Sequence, residues 1–259
     1  MKVITANLNG IRAAARKGFF EWLEKEDADF VCIQETKAQE FQLEDSMYYP
    51  KNYHCYYYDA VKKGYSGVAV YSKLKPDNVV KGFGFKHITE EEGRYLQLDF
   101  NDFSIVSLYL PSGSSSDERQ DIKYELLDMY QELLRKQLAS NRKFIICGDY
   151  NIVHKEIDIK NWKANQKSSG CLPEERAWLD VLFDDLRFID AFRAVNQEPL
   201  QYTWWSNRGR AWDNNVGWRI DYQVLTPNLI GTAKSAIVYK NTRFSDHAPL
   251  IMEYDINLD

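Results

Sequence analysis

The chain has 259 residues, with 33 Lys and Arg against 38 Asp and Glu, a formal charge of −5. Hydrophobic residues make up 44% and charged residues 27%, globular values that exclude a disordered or fibrous chain and allow a sizeable core. The acidic balance argues against a protein that coats nucleic acid through a basic surface.

In chain order, a first strand is predicted over residues 2–6, closed by Asn7. A short helix follows, with Phe19, Phe20, Trp22 and Leu23 sharing one side, and a second apolar run over 30–34 ends at Glu35. Strands are expected over 67–72, 95–100 and 104–110; residues 95–100 alternate apolar and polar, as an antiparallel strand with one buried face does. Tyr109 lies near the end of the last of these, before Pro111. A long amphipathic helix is predicted over 117–138, where Ile122, Leu126, Leu127, Tyr130, Leu133, Leu134 and Leu138 recur at spacings of three and four, with Ser115 and Glu118 as its capping box. Another buried strand spans 143–147 and is followed by Asp149 and Asn151. A third helix starts at Pro173, and Glu174 and Glu175 suit its N-terminus; Trp178, Leu179, Leu182, Phe183 and Leu186 supply its apolar face. Strands over 219–225, containing Asp221, and 249–254, preceded by Asp246 and His247, complete the pattern.

No linker divides the chain, so residues 1–259 are expected to form one domain. Eight or more strands are many for one flat sheet. The predicted class is α/β, a four-layered α/β sandwich of two packed mixed β-sheets flanked by helices. Cys32, Cys55, Cys147 and Cys171 form no C-x-x-C pair, and no stretch approaches the ~18 apolar residues of a membrane span. A cytoplasmic, reducing setting without a membrane partner is the expectation.

Polar residues recur at or near the ends of the predicted strands: Asn7, Glu35, Tyr109, Asp149, Asn151, Asp221, Asp246 and His247. Alone, each has a bland reading. Glu35 caps a helix or is solvated, 148–151 is an Asx turn, and 245–247 is a surface loop or part of a Ser–His–Asp triad without a nucleophile elbow. Jointly they place acids and amides at one edge of the sheets, where loops on a rigid scaffold carry sites.

The ordered segments Asn7-Leu8-Asn9-Gly10-Ile11-Arg12, Gln34-Glu35-Thr36-Lys37, Gly64-Tyr65-Ser66-Gly67-Val68-Ala69, Leu108-Tyr109-Leu110-Pro111, Gly148-Asp149-Tyr150-Asn151, Val216-Gly217-Trp218-Arg219-Ile220-Asp221-Tyr222 and Ser245-Asp246-His247 resemble the exonuclease III family of class II apurinic/apyrimidinic (AP) endonucleases, over essentially the whole chain. That family lies in the endonuclease/exonuclease/phosphatase superfamily. The resemblance implies hydrolysis of the phosphodiester 5′ to an abasic site in base excision repair, leaving a 3′-hydroxyl and a 5′-deoxyribose phosphate. It also implies 3′-phosphodiesterase, 3′-phosphatase and 3′→5′ exonuclease side activities. The implied partner is double-stranded DNA with abasic sites or blocked 3′ ends, the cofactor Mg²⁺ with Mn²⁺ as a substitute, and the working form a bacterial-type cytoplasmic monomer acting at the nucleoid.

By the same resemblance Glu35 is the leading metal ligand, with Asn7, Asp149, Asn151, Asp246 and His247 as further ones. Asp149 is a general base, with an acid role toward the leaving oxygen as the rival. Asn151 orients the water, His247 held by Asp221 donates to the phosphate, and Tyr109 assists on the leaving side. Trp204, Trp218 and Ile220 would wall a pocket for the extruded sugar. Arg208 and Arg210, Asn9, and Lys155, Lys160, Lys163 and Lys167 on the 155–171 loop would contact the nucleic acid or its phosphates, the lysines reading otherwise as a solvated face. Asn9 and Ser112 stand where some relatives have Asp and Asn. Two rivals are a phosphatase of inositol or lipid head groups and a catalytically silent DNA-binding module.

Overall fold

A computed structural model describes residues 1–258. Its first half contains β1 (Lys2–Asn7), α1 (Ile11–Ala15), α2 (Phe19–Glu26), β2 (Phe30–Gln34), β3 (His54–Tyr58), β4 (Val68–Ser72), β5 (Asn78–Lys81), β6 (Tyr95–Phe100), β7 (Phe103–Tyr109) and α3 (Asp117–Ala139). Its second half contains β8 (Lys143–Asp149), α4 (Pro173–Asp180), β9 (Ile189–Asp190), α5 (Ala191–Val195), β10 (Trp204–Trp205), β11 (Gly217–Trp218), β12 (Asp221–Leu225), β13 (Ala233–Val238) and β14 (Leu250–Tyr254). Two six-stranded mixed sheets result, ordered β13-β14-β1-β2-β4-β3 and β5-β6-β7-β8-β12-β9, with β10 and β11 as a separate ribbon.

Strand periodicity sorts the side chains into layers. Along β2, Val31 and Ile33 face outward onto α1 and α2, while Phe30 and Cys32 face the opposite sheet. Along β8, Phe144 and Ile146 pack under α3 and α4, while Ile145 and Cys147 face inward. Both faces are buried, so these strands read as continuous apolar runs. The result is the expected four-layered sandwich: helices, sheet, sheet, helices. A polar tie crosses its middle, where Gln34 Nε2 donates to Ser107 Oγ at 2.9 Å. No helix among the described residues is long and apolar enough to cross a membrane.

Three local expectations change. Ser116, not Ser115, caps α3, accepting the Arg119 N–H at 3.2 Å. The third helix stops being α-helical at Asp180 and widens into a π-turn over Val181–Asp185, where the Leu186 N–H donates to the Val181 carbonyl at 2.9 Å. The single strand expected over 219–225 is broken. Trp218 pairs with Trp204 in the ribbon, the Arg219 N–H donates to the Asp158 carbonyl at 2.7 Å, and β12 begins only at Asp221.

Candidate active site

Asn7 ends β1, Glu35 follows β2, Tyr109 ends β7 and Asp149 ends β8. β1 and β2 run parallel, as do β7 and β8, and Asp221 opens β12 directly opposite Asp149. One edge of the packed sheets therefore collects the polar residues. Asn9, Glu35, Lys37 and Asn151 there hold φ of 45°, 51°, 48° and 52°. Such backbone costs of order 1 kcal/mol or more per residue and persists only where surrounding bonds over-determine it. Here the Gly10 and Ile11 N–H groups donate to the Glu35 and Thr36 carbonyls at 2.8 and 2.9 Å, and the Thr36 and Lys37 N–H groups to the Gly67 and Ser66 carbonyls at 3.1 and 2.9 Å. This clamp accounts for the glycine in the 64–69 segment: a Cβ on Gly67 would stand 2.2 Å from Thr36 Oγ1.

The side chains form one connected network. Asn7 Nδ2 donates to Glu35 Oε1 at 2.9 Å and to Asp149 Oδ2 at 3.0 Å. Asp149 also accepts the Asn151 backbone N–H at 2.8 Å and Asn151 Nδ2 at 3.2 Å. His247 Nδ1 bonds Asp221 Oδ2 at 2.9 Å, which leaves Nε2 facing Asp149 at 3.9 Å. Lys37 Nζ pairs with Glu35 at 2.7 Å and donates to Asn9 Oδ1 at 2.5 Å. Asn9 Nδ2 donates to Asp246 Oδ1 at 2.9 Å, and Trp204 Nε1 to Asp246 Oδ2 at 3.2 Å.

Charges in so dry a place perturb one another. Burial, then the charges of Asp221 and Glu35, push the Asp149 carboxyl up to about 8. Burial opposes a charged His247, but Asp221, Asp149 and Asp246 outweigh it and raise the imidazole to about 10. Burial would raise Glu35; the Lys37 ammonium and the Asn7 bond hold it below the usual carboxylate range. Tyr109 is raised well above the ordinary phenol value by burial and by Glu35, so it stays an O–H donor. An acid and a base whose environments push their pKa values apart form an acid–base pair.

Glu35, Asp149 and His247 offer ligand atoms within 4.8 Å of one another, and the buried Asp221 Oδ1 has no partner among the described residues. The two carboxylates suit a hard divalent cation; His247, charged and bonded through Nδ1 to Asp221, has no lone pair to give one and departs from the expected ligand set. Asn7 departs from the expected ligand set: its amide nitrogen, not its oxygen, faces the acids, and its Oδ1 accepts the Asn9 N–H at 3.0 Å. Asn151 likewise turns Nδ2 toward Asp149 and the Leu110 carbonyl. Asp246 lies one step away, engaged by Asn9 and Trp204.

The acids open onto a cleft of about 910 Å³. Glu35, Tyr109, Asp149 and His247 line it together with Trp204, Trp218, Ile220 and Arg208. The two indoles meet edge to face at 5.8 Å. Several expected nucleic-acid contacts are placed otherwise. Lys160 and Lys163 are exposed but outside the cleft lining, which takes Lys167 from the same loop. Asn9 has both amide atoms engaged by Lys37 and Asp246 and does not line the cleft. The residue the sequence reading passed over is Lys37, two positions from Glu35 and bonded to it; its place in the Gln34–Lys37 segment was the available signal.

The family described as Endonuclease/Exonuclease/phosphatase matches residues 4–247. The chain is 39% identical to an exodeoxyribonuclease of Bacillus subtilis (strain 168), over 96% of this chain and 98% of the relative. It is 36% identical to a DNA-(apurinic or apyrimidinic site) endonuclease of Dictyostelium discoideum, over 99% of this chain and 71% of the relative. Among solved structures, an AP endonuclease from Archaeoglobus fulgidus superimposes with a TM-score of 0.88 at 25% identity, covering 99% of this chain and all of that one.

Proposed function

Because the chain belongs to the endonuclease/exonuclease/phosphatase family, alongside exodeoxyribonucleases and AP endonucleases matched over nearly its full length, we propose that it is a DNA-repair hydrolase that incises DNA 5′ to abasic sites. The same site would remove 3′-phosphates, 3′-blocking groups and 3′-terminal nucleotides. The observation that carries this reading is the buried Asp149, bonded to Asn7 and Asn151 and faced by His247 Nε2 at 3.9 Å, in a cleft that Trp204 and Trp218 also line.

Asp149 takes a proton from the attacking water, oriented by the Asn151 amide, as a base poised near the working pH does best. Water adds to phosphorus, the bond to O3′ breaks with O3′ taking a proton from solvent water while Asp149 later releases its own, and a 3′-hydroxyl and a 5′-deoxyribose phosphate remain. His247, charged and aimed by Asp221, donates Nε2–H to a non-bridging oxygen, where a fixed donor in a dry site is worth most. The Tyr109 O–H donates on the leaving side. Glu35 and Asp149 would hold a divalent cation, Mg²⁺ or Mn²⁺, with Asp246 as the next carboxylate, and the bound ion supplies charge neutralisation at the phosphate. Trp204, Trp218 and Ile220 receive an extruded sugar; a base-free nucleotide is the least costly to extrude, because its stacking and pairing are already gone. Arg208 and Lys167 contact phosphates of the duplex, so an acidic chain carries a local basic margin. The working form is a monomer on double-stranded DNA.

The test is a duplex with one tetrahydrofuran abasic mimic. It is expected to be cut on the 5′ side of the mimic with Mg²⁺ and left intact with excess EDTA. Absence of incision with every divalent metal tried would remove this reading.

A further inference from the structure

Behind the cleft, α3 and α4 are joined by an ion pair that touches no solvent. Lys123 Nζ lies 2.5 Å from Glu175 Oε1, and both side chains are 0% exposed. Burying two charges is costly enough that an apolar pair of similar size would join two helices as well. These two charges also reach the site. Lys123 Nζ donates to the Asn151 carbonyl at 2.9 Å. Glu175 Oε2 accepts the Gly170 and Leu172 N–H groups at 2.6 and 3.1 Å. Gln120 Nε2 donates to Glu175 at 3.2 Å, and Ser169 Oγ donates to Gln120 Oε1 at 2.7 Å.

The loop so held, 168–172, forms part of the cleft wall. At its centre Gly170, with φ of +88°, is wedged in place: an added Cβ would stand 2.9 Å from the Asn151 carbonyl oxygen and 3.2 Å from Trp218 Cζ3. One buried pair thus fixes Asn151, on the phosphate side, and Gly170, against the indole on the sugar side.

We propose that Lys123 and Glu175 are positioning residues that set the gap between Asn151 and the Trp218 wall, and through it the preference for base-free sugars over intact nucleotides. The proposal rests on the nuclease reading above. Loosening the strut would misplace Asn151 during abasic incision and admit bulkier nucleotides to the pocket.

The experiment compares two substrates on one enzyme: incision of a tetrahydrofuran duplex, and removal of an undamaged 3′-terminal nucleotide. Lys123→Met with Glu175→Gln in the same chain removes both charges while keeping side-chain size. The ratio of kcat/KM for abasic incision to that for nucleotide removal is expected to fall at least ~10-fold, through kcat, with KM for the abasic duplex within about threefold, since small misplacements of reacting groups cost rate more than binding. Gln120→Leu, on a partly exposed helix position, keeps the ion pair and is expected to lower the ratio by roughly two- to threefold, as a weaker loosening of the same loop. A purely structural pair would lower both activities by one common factor, through the folded fraction, and leave the ratio unchanged. That result, in the double variant or in Gln120→Leu if the double variant does not fold, overturns the proposal. Failure of the unsubstituted enzyme to cut the abasic duplex would instead refute the nuclease reading.

Discussion

Replacing Asp221 by Asn separates the charge of that residue from its hydrogen bond. The amide oxygen still accepts the His247 Nδ1–H, so the ring keeps its orientation, but the anion 2.9 Å away is gone. His247 sits at about 10, where a free histidine titrates near ~6.5, a difference of on the order of 5 kcal/mol in favour of the imidazolium. Asp221 leads the groups that raise it, ahead of Asp149 and Asp246. Assigning it roughly half, on the order of 2–3 kcal/mol, lowers the His247 pKa by about 2. At pH 9 the wild-type ring is then mostly charged and the variant ring mostly neutral. The assay is initial-rate incision of a labelled tetrahydrofuran duplex from pH 6 to 10.5, with kcat/KM reporting groups of the free enzyme. The basic limb of the profile is expected to move down by about 2 pH units, for a relative loss of roughly tenfold at pH 9 over that at pH 6.5. A basic limb in the same place as that of the wild type would refute the claim that Asp221 sustains a charged His247 used in turnover.

Two further predictions concern neighbouring charges. Lys37→Met removes the ammonium that offsets burial at Glu35, so the Glu35 carboxyl, followed by its side-chain NMR shift on the acid side of neutrality, is expected to titrate ~1 pH unit higher; an unmoved titration contradicts the pairing. Asp158 lies beneath the cleft wall, ion-paired with Arg219 and Arg193 at 2.7 Å each. Burial opposes its charge, but Arg219 and then Arg193 hold it down at about 2. A depressed carboxyl contributes stability above its unfolded value of ~3.9, and that contribution, on the order of 2–3 kcal/mol, is lost as pH falls through the folded value. Urea unfolding should therefore show Asp158→Asn destabilised by ~3 kcal/mol at pH 7, with the gap to wild type narrowing between pH ~4 and ~2; a gap that holds constant with pH contradicts the ion-pair account.

The strands legible in the sequence are those buried on both faces. β2, β4 and β8 read as apolar runs because their apolar residues pack alternately against a helix layer and the opposite sheet. β3, β5 and β13 went unseen for the converse reason: they are edge strands with exposed or half-exposed residues, and edges carry the polar side chains that hide their period. The candidate site was legible where a polar residue flanks an apolar run, as at Asn7, Glu35, Asp149 and His247. It was illegible where function depends on contacts made across the chain. Nothing local tells that Asn9 is held by Lys37 and Asp246, 28 and 237 residues away, or that Lys160 and Lys163 fall outside the cleft that Lys167 enters. The burial of Lys123, Glu175 and Arg219 is likewise set by partners distant in the chain.

Single-turnover incision by Asp149→Asn tests the central claim most directly. The substitution keeps the side chain's size and leaves the His247–Asp221 pair untouched, but an amide cannot take the proton of the attacking water. Incision of the tetrahydrofuran duplex is expected to fall by ~10³-fold or more, the scale for losing a positioned base together with its charge, while duplex binding measured by anisotropy stays within about threefold of wild type, since phosphate contacts set binding. An Asp149→Asn enzyme that cuts at the wild-type rate would contradict the assignment of Asp149 as the base around which the site is built.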